Sequence, residues 1–534
     1  MIEQSTVNSQ QSTVSKIRSW ILLNKKEFLI LLLILLVGAF MRLYRISDYM
    51  TFLSDEGRDV LIVRRFITEL HPPLIGPGTS VGNMYLGPLY YYMMAPALLL
   101  ANFSPVGPAV QIALLGVVTV FFVWFITREW FPVKTTGGIQ VSLNVGALVA
   151  AGLYAISPTV ITFSRSSWNP NIMPFFSLLS IYSIWKVYES RGASRGVGGW
   201  LITLGISYAF VLQSHYLGLF LAPTLFVFWL LTLFKIKNDK LVKAIFVRSS
   251  FLAFSLFALL MSPLLIFDIR HNWQNYNAIK IFFTSSRDVG LPLLAYLSKI
   301  GATTLMVFTN LPMGKNMYLG ILAVLVSIIF LVWIYKKHLF TDAYGLLSLW
   351  ITVGLIGTAY YKGQIYDHYL GFLFPAPFLL LGTFAQKILN NKNLIAKVLL
   401  SLTIGFIVFV SFQNDPPFVH PTYQMPRAIS VAKVIQEKAG GAKFNLAAIS
   451  DFDDRSVYLY FLIIWGANVV DTDPSTSEFT QTDQLFVVCE FEESKCDPTH
   501  SPSAWITRFG WTKIVDRWEV WGGTLYKLGH VNVE

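Results

Sequence analysis

The sequence predicts a polytopic α-helical membrane protein with about 11 transmembrane helices, up to 13, and a small C-terminal α/β domain outside the membrane. Three observations carry this. Of 534 residues, 54% are hydrophobic and only 13% charged, against roughly a quarter charged in an ordinary soluble domain. Apolar runs of about 20 residues, the length that crosses a ~30 Å hydrocarbon core, recur along the first 411 positions. Finally, residues 412–534 hold 10 Lys+Arg against 16 Asp+Glu, leaving 31 against 14 in the rest. The formal charge of +11 therefore resides in the membrane part, in short clusters beside apolar runs. That pattern fits cytoplasmic loops facing anionic lipid and argues against a nucleic-acid partner.

Taken in order, residues 1–27 are polar and carry Lys16, Arg18, Lys25 and Lys26. They precede an apolar run without a small-residue cleavage site, so they read as a cytoplasmic tail before an uncleaved first span. Spans are expected at about 28–46, 107–127, 141–161, 172–189, 198–214, 217–234, 245–267, 317–335, 343–361, 366–386 and 393–411. From an inside N-terminus every cytoplasmic connection is then basic, for example Lys235, Lys237, Lys240 and Lys243, or Lys387, Lys392 and Lys397. Two further apolar helices, near 86–101 and 294–310, would invert the following loops if they crossed, and are placed on the outer face. The domains become a tail at 1–27, a membrane domain at 28–411 with its first outer loop at 47–106, and an outer α/β domain at 412–534. In the last, a helix is expected near 426–439 and strands at 444–450, 457–464 and 484–489. Cys489 and Cys496 are the only cysteines; a disulfide between them is allowed in an oxidising space but not required.

The most informative segment is Ser54-Asp55-Glu56-Gly57-Arg58-Asp59, just after the first span. Adjacent carboxylates beside arginine at a membrane surface are costly to desolvate and point to function. A carboxylate there can take a proton from a hydroxyl while arginine neutralises a phosphate leaving group. The alternative is a solvated loop in which Asp55 caps a helix starting near residue 57. A second segment, Phe163-Ser164-Arg165-Ser166-Ser167-Trp168-Asn169-Pro170-Asn171, sets Arg165 on a face where positive charge is disfavoured, for phosphate binding or a salt bridge with the first-loop acids. Its other reading is a helix start marked by Asn169-Pro170. Further outer-face candidates are His215, Arg270-His271, Lys362 and His368. The histidines show no metal-ligand spacing, and no HExxH or paired-cysteine pattern occurs.

The acidic pair after the first span, the long first loop running to Gly87-Pro88-Leu89-Tyr90-Tyr91-Tyr92, and the Ser-Arg motif after the third span together resemble membrane glycosyltransferases of the GT-C type. The resemblance is to the protein O-mannosyltransferase and aminoarabinose (lipid A) transferase group, a family 39-like set, and covers roughly 28–411. It implies a GT-C fold and a sugar donor carried on a polyprenyl phosphate. It also implies an active site on the outer face of the plasma membrane, no required cofactor, and a protein, lipid or glycan acceptor; divalent metal dependence is left open. Carried over, Asp55 is the base, Glu56 its neighbour and Arg58 a phosphate contact. Arg165, His215, Lys362 and His368 become contacts to donor phosphate or sugar, and no residue is assigned to metal. The expected reaction is inverting transfer of one sugar. Its rivals are an oligosaccharyltransferase or polysaccharide ligase of the same architecture, for which the tail lacks a Trp-Trp-Asp-type motif, and a secondary transporter. Against the transporter, the ionisable residues cluster on one face instead of at mid-span.

Overall fold

The computed structural model describes residues 15, 18–79, 82, 84–133, 143–190, 196–284, 293–361, 363–451, 455–471 and 480–531. The first helix, α1 (Lys25–Leu43), is anchored at its start by the buried Glu27. That carboxylate accepts from Trp124 Nε1 at 3.0 Å, Arg128 Nε at 2.9 Å and the Asn144 N–H at 3.2 Å. After a single turn at Ile46–Tyr49, two longer helices precede the next long helix: α2 (Ser54–Glu69) and α3 (Leu89–Leu100). The chain continues through α4 (Val106–Trp130), α5 (Val145–Ala155), α6 (Pro158–Phe163) and α7 (Met173–Glu189). Next come α8 (Val197–Ser214), α9 (Ala222–Lys235), α10 (Lys240–Arg270), α11 (Gln274–Thr284) and α12 (Leu293–Asn310). The bundle closes with α13 (Met317–Lys336), α14 (Asp342–Ala359), α15 (Pro375–Leu389) and α16 (Leu394–Asn414).

Among the described residues, seven helices are long and apolar enough to cross a membrane: α4, α8, α9 with its leading turn, α10, α13, α14 and α16. An eighth is the pair Asp367–Leu373 and α15, bent by 57° at their junction. The remaining three expected spans lie outside this set for identifiable reasons. Lys25, Lys26, Glu27 and Arg42 sit within the 19 residues of α1. The span expected at 141–161 is broken between α5 and α6, where Pro158 opens a new helix and Ser157 caps it. Helix α7 has 17 residues. Helix α3, with 12 residues or about 18 Å, is too short to cross.

The tail folds as α17 (Gln424–Ala439), β1 (Asn445–Ile449), α18 (Arg455–Ile464), β2 (Gln484–Cys489), β3 (Thr512–Val520) and β4 (Gly523–His530). Its sheet runs β1-β2-β4-β3, with β1 and β2 parallel and the other pairs antiparallel. Cys489 and Cys496 are joined as a disulfide. The strand expected at 457–464 is instead the helix α18. An unbroken apolar run has no period that separates strand from helix, and a parallel β1–β2 pair needs a crossover, usually helical. The strands β3 and β4 were not anticipated.

The tail and the first loop share a single apolar core. Phe52, Val60 and Val63 from the loop pack in one cluster with Val431, Ile435, Leu459 and Phe486 from the tail. The Phe52 N–H donates to Gln424 Oε1 at 2.9 Å, and the Tyr423 N–H to the Asp48 carbonyl at 2.9 Å. The described part of the tail is thus built onto the first loop and packs against α2.

Candidate active site

Helix α2 starts at Ser54, earlier than its sequence suggests, and Glu56 is the residue that reaches back to its N-terminus: Glu56 Oε2 accepts the Leu53 N–H at 3.1 Å. Asp55 therefore does not serve as the cap. Its side chain is 43% exposed and borders a cavity of about 290 Å³ with Thr51, Thr162, Phe163, Ser166 and Trp168. The acidic turn and the 162–168 segment, more than 100 residues apart in sequence, thus line one pocket.

The spacing Asp55, Arg58, Asp59 places three charges on one helical face. Arg58 Nη1 donates to Asp55 Oδ1 at 2.7 Å, while its Nε and Nη2 donate to Asp59 Oδ1 at 3.0 and 2.7 Å. The Tyr91 hydroxyl adds a bond to the same Asp59 oxygen at 2.9 Å. Asp59 is fully buried, and desolvation raises its pKa despite the opposing charge of Arg58. Arg58 is shared between two carboxylates and does not present a free cation to the cavity. Asp59 and Tyr91 complete this network behind Asp55 and are not among the site residues the sequence singles out. Their signal was available in the i, i+3, i+4 charge spacing, but which of three adjacent tyrosines turns inward is decided only by packing.

Glu56 is 4% exposed, and burial pushes its pKa up to about 8, aided by the charges of Asp55 and Asp59. Burial thus favours its neutral form, and it borders the cavity alongside Asp55. The raised value has a consequence for stability. The neutral form's contribution is full below the usual carboxylate value and is lost as pH rises through about 8. Glu56→Gln is therefore expected to flatten the decline of thermal stability between pH 5 and about 8, read as unfolding midpoints of both proteins across that range.

Arg165 departs from its expected roles. It is 1% exposed, its Nη1 donates to the Met41 carbonyl and its Nη2 to the Tyr44 carbonyl at 2.5 Å. These are carbonyls at the end of α1, which lack helical partners there, and Arg165 satisfies them instead of forming a salt bridge with Asp55 or Glu56. Burial lowers its pKa to about 10. Asn169 likewise donates to the Ser214 carbonyl at 2.7 Å. Lys362 lies outside the described residues.

His215 and His368 come together. Their ring centroids are 6.2 Å apart, and His368 lies 4.5 Å from the Trp168 ring and 6.0 Å from Phe163. Both Trp168 and Phe163 line the acidic cavity. On its other side His215 borders a second, largely apolar cavity of about 280 Å³, with Leu212, Leu217, Met261, Leu264 and Tyr361. The packed rings of His215, His368 and Trp168 thus lie between an apolar groove and a carboxylate pocket. Among the described residues no three His, Cys, Asp or Glu side chains are grouped to hold a metal ion.

Comparison with known proteins gives a partial family match and a shared fold. Residues 64–268 match the profile of the dolichyl-phosphate-mannose-protein mannosyltransferases, a stretch that runs from α2 to α10. No curated protein matches the chain. Among solved structures, ArnT from Cupriavidus metallidurans in the apo state is similar at a TM-score of 0.53 and 11% identity, covering 96% of this chain and 98% of that one. The apo oligosaccharyltransferase of Archaeoglobus fulgidus is similar at a TM-score of 0.53 and 12% identity, over 86% of this chain and 69% of that one. The same figures hold for the archaeal oligosaccharyltransferase AglB from Archaeoglobus fulgidus in complex with an inhibitory peptide and a dolichol-phosphate. At these identities the likeness concerns the fold.

Proposed function

We propose that the chain is a membrane glycosyltransferase of the GT-C type that moves a monosaccharide from a polyprenyl-phosphate-linked donor to an acceptor on the outer face of the membrane, with inversion. The observation that carries this reading is that the two cavities are neighbours, with packed aromatic rings between them. A polyprenyl chain needs an apolar groove open to the bilayer, and its sugar needs a polar pocket with a base. Here the groove at Leu212, Leu217 and Met261 lies next to the Asp55 pocket, with His215, His368 and Trp168 between them. The solved complex of the similar AglB with a dolichol-phosphate supports a donor of this class.

In the proposed step Asp55 accepts the proton of an acceptor hydroxyl as that oxygen bonds to the anomeric carbon. The bond from that carbon to the phosphate oxygen breaks, and the electron pair leaves with the lipid phosphate. A phosphate ester is a competent leaving group once its charge is compensated, so no separate acid is required. Arg58 holds Asp55 in place by its 2.7 Å bond. His368 lies between the pockets, where the phosphate would stand, and Lys362 follows Tyr361 of the groove rim in sequence. The plasma membrane, with the pocket and the tail outside, is the proposed location; a disulfide between Cys489 and Cys496 suits that oxidising side.

Purified protein incubated with synthetic polyprenyl-phosphate sugars tests this. Release of polyprenyl phosphate coupled to appearance of the sugar on an acceptor, with inverted anomeric configuration, is the expected result. Solute accumulation in sealed vesicles without any release would support the transporter rival instead.

A further inference from the structure

Away from the acidic pocket, four helices enclose a larger cavity, about 470 Å³, between α5, α13, α15 and α16. Its walls are aliphatic and aromatic apart from Thr403, and the Thr403 hydroxyl is satisfied by the Leu399 carbonyl at 2.8 Å. Helix α16 packs thinly here, burying only Ile407, Val410 and Ser411 of its 21 residues. The lining side chains of α16 run from Ala396 to Ile407, about 17 Å of helix, close to the depth of one leaflet of a ~30 Å core. A dry apolar cavity of this shape facing a bilayer is filled by hydrocarbon or not at all.

The end of the cavity formed by Ile388 and Ala396 carries charge. Lys387 and Lys397 are their immediate neighbours in sequence, and Lys392 lies in the turn between α15 and α16. None of the three makes an ion pair with a carboxylate among the described residues, and residues 384–411 contain no Asp or Glu. In the orientation that makes the basic connections cytoplasmic, this end meets the inner leaflet. We infer that the groove between α15 and α16 is a binding site for one anionic glycerophospholipid of the cytoplasmic leaflet, its acyl chain against Leu399 and Phe384 and its phosphate among Lys387, Lys392 and Lys397. A zwitterionic lipid brings its own cation and has less to gain from three lysines. This site is separate from the donor groove, which is lined by different helices, and it does not depend on the proposed reaction.

The test uses the full chain purified in detergent, stripped of lipid and returned to phosphatidylglycerol or to phosphatidylcholine of the same acyl chains. Native mass spectrometry should show phosphatidylglycerol retained on the order of tenfold better, with a higher thermal midpoint than phosphatidylcholine provides. The combined Lys387→Gln, Lys392→Gln and Lys397→Gln protein should lose that preference. Ala396→Phe, which fills the groove at its mouth, should lose retention while its lipid-free midpoint stays at the wild-type value. Equal retention of the two lipids, or wild-type preference in the triple variant, overturns the proposal. So does displacement of phosphatidylglycerol by added polyprenyl phosphate, which would make the groove a donor site.

Discussion

Asp55→Asn is expected to lower sugar transfer on the order of 10²–10⁴-fold, the range for loss of a general base, while the protein remains folded and still binds donor. The amide keeps the oxygen that accepts from Arg58 Nη1 at 2.7 Å, so helix geometry and the Arg58–Asp59 pair survive. What is lost is the ability to take a proton. Glu56→Gln is expected to do far less harm at pH 7. Glu56 is buried, its acid form prevails up to about pH 8, and glutamine can still accept the Leu53 N–H. Turnover with labelled donor checks both variants. Asp55→Asn activity above about a tenth of wild type, or a larger loss in Glu56→Gln, would move the base away from Asp55.

Gly57→Ala should be the second most damaging change, through geometry and not chemistry. A Cβ at Gly57 would lie 2.7 Å from both Ser456 Oγ and the Val457 backbone nitrogen, and 2.9 Å from the Ser456 carbonyl carbon. The backbone atoms cannot swing aside, and Ser456 Oγ is itself held by a 2.9 Å bond to the Ser54 carbonyl. Helices α2 and α18 must separate, at a cost of about 1–3 kcal/mol. That separation displaces the turn bearing Asp55, and a shift of ~1 Å at a reacting group costs on the order of 10²-fold in rate. The expected result is a lowered thermal midpoint together with turnover reduced by about that factor. Gly199→Ala, whose Cβ would meet nothing within 4 Å, serves as the control. An active, unshifted Gly57→Ala protein would show that the tail does not press on α2.

The membrane character and the acidic turn were legible because they rest on local properties: apolar run length, loop charge, and the Asp55-Glu56 pair. Less legible were the features decided by packing over long sequence distances. Arg165 read as a cation awaiting an anion, since nothing in its neighbourhood shows that the carbonyls of Met41 and Tyr44, more than 120 residues earlier, need its donors. Arg58 read as a phosphate contact because its division between Asp55 and Asp59 depends on Asp59 being buried behind Tyr91. The run at 457–464 is apolar on every side, so its period carried no information, and only the parallel pairing of β1 with β2 explains the helix. The shared core of loop and tail was invisible for the same reason: Phe52 and Phe461 sit 5.9 Å apart by ring centroid yet belong to segments that each read as self-contained.

The central claim is that one donor molecule occupies both neighbouring cavities, lipid in the groove and sugar in the Asp55 pocket. A donor carrying one photoreactive group on the sugar and, in a second version, one on the proximal isoprene tests it by mass-spectrometric mapping of the crosslinked peptides. The sugar probe should label the peptides containing Thr162–Trp168 or Thr51–Glu56, and the isoprene probe those containing Leu212–Leu217 or Met261–Leu264. Isoprene labelling confined to α13, α15 and α16, with no sugar label near Asp55, would contradict the account.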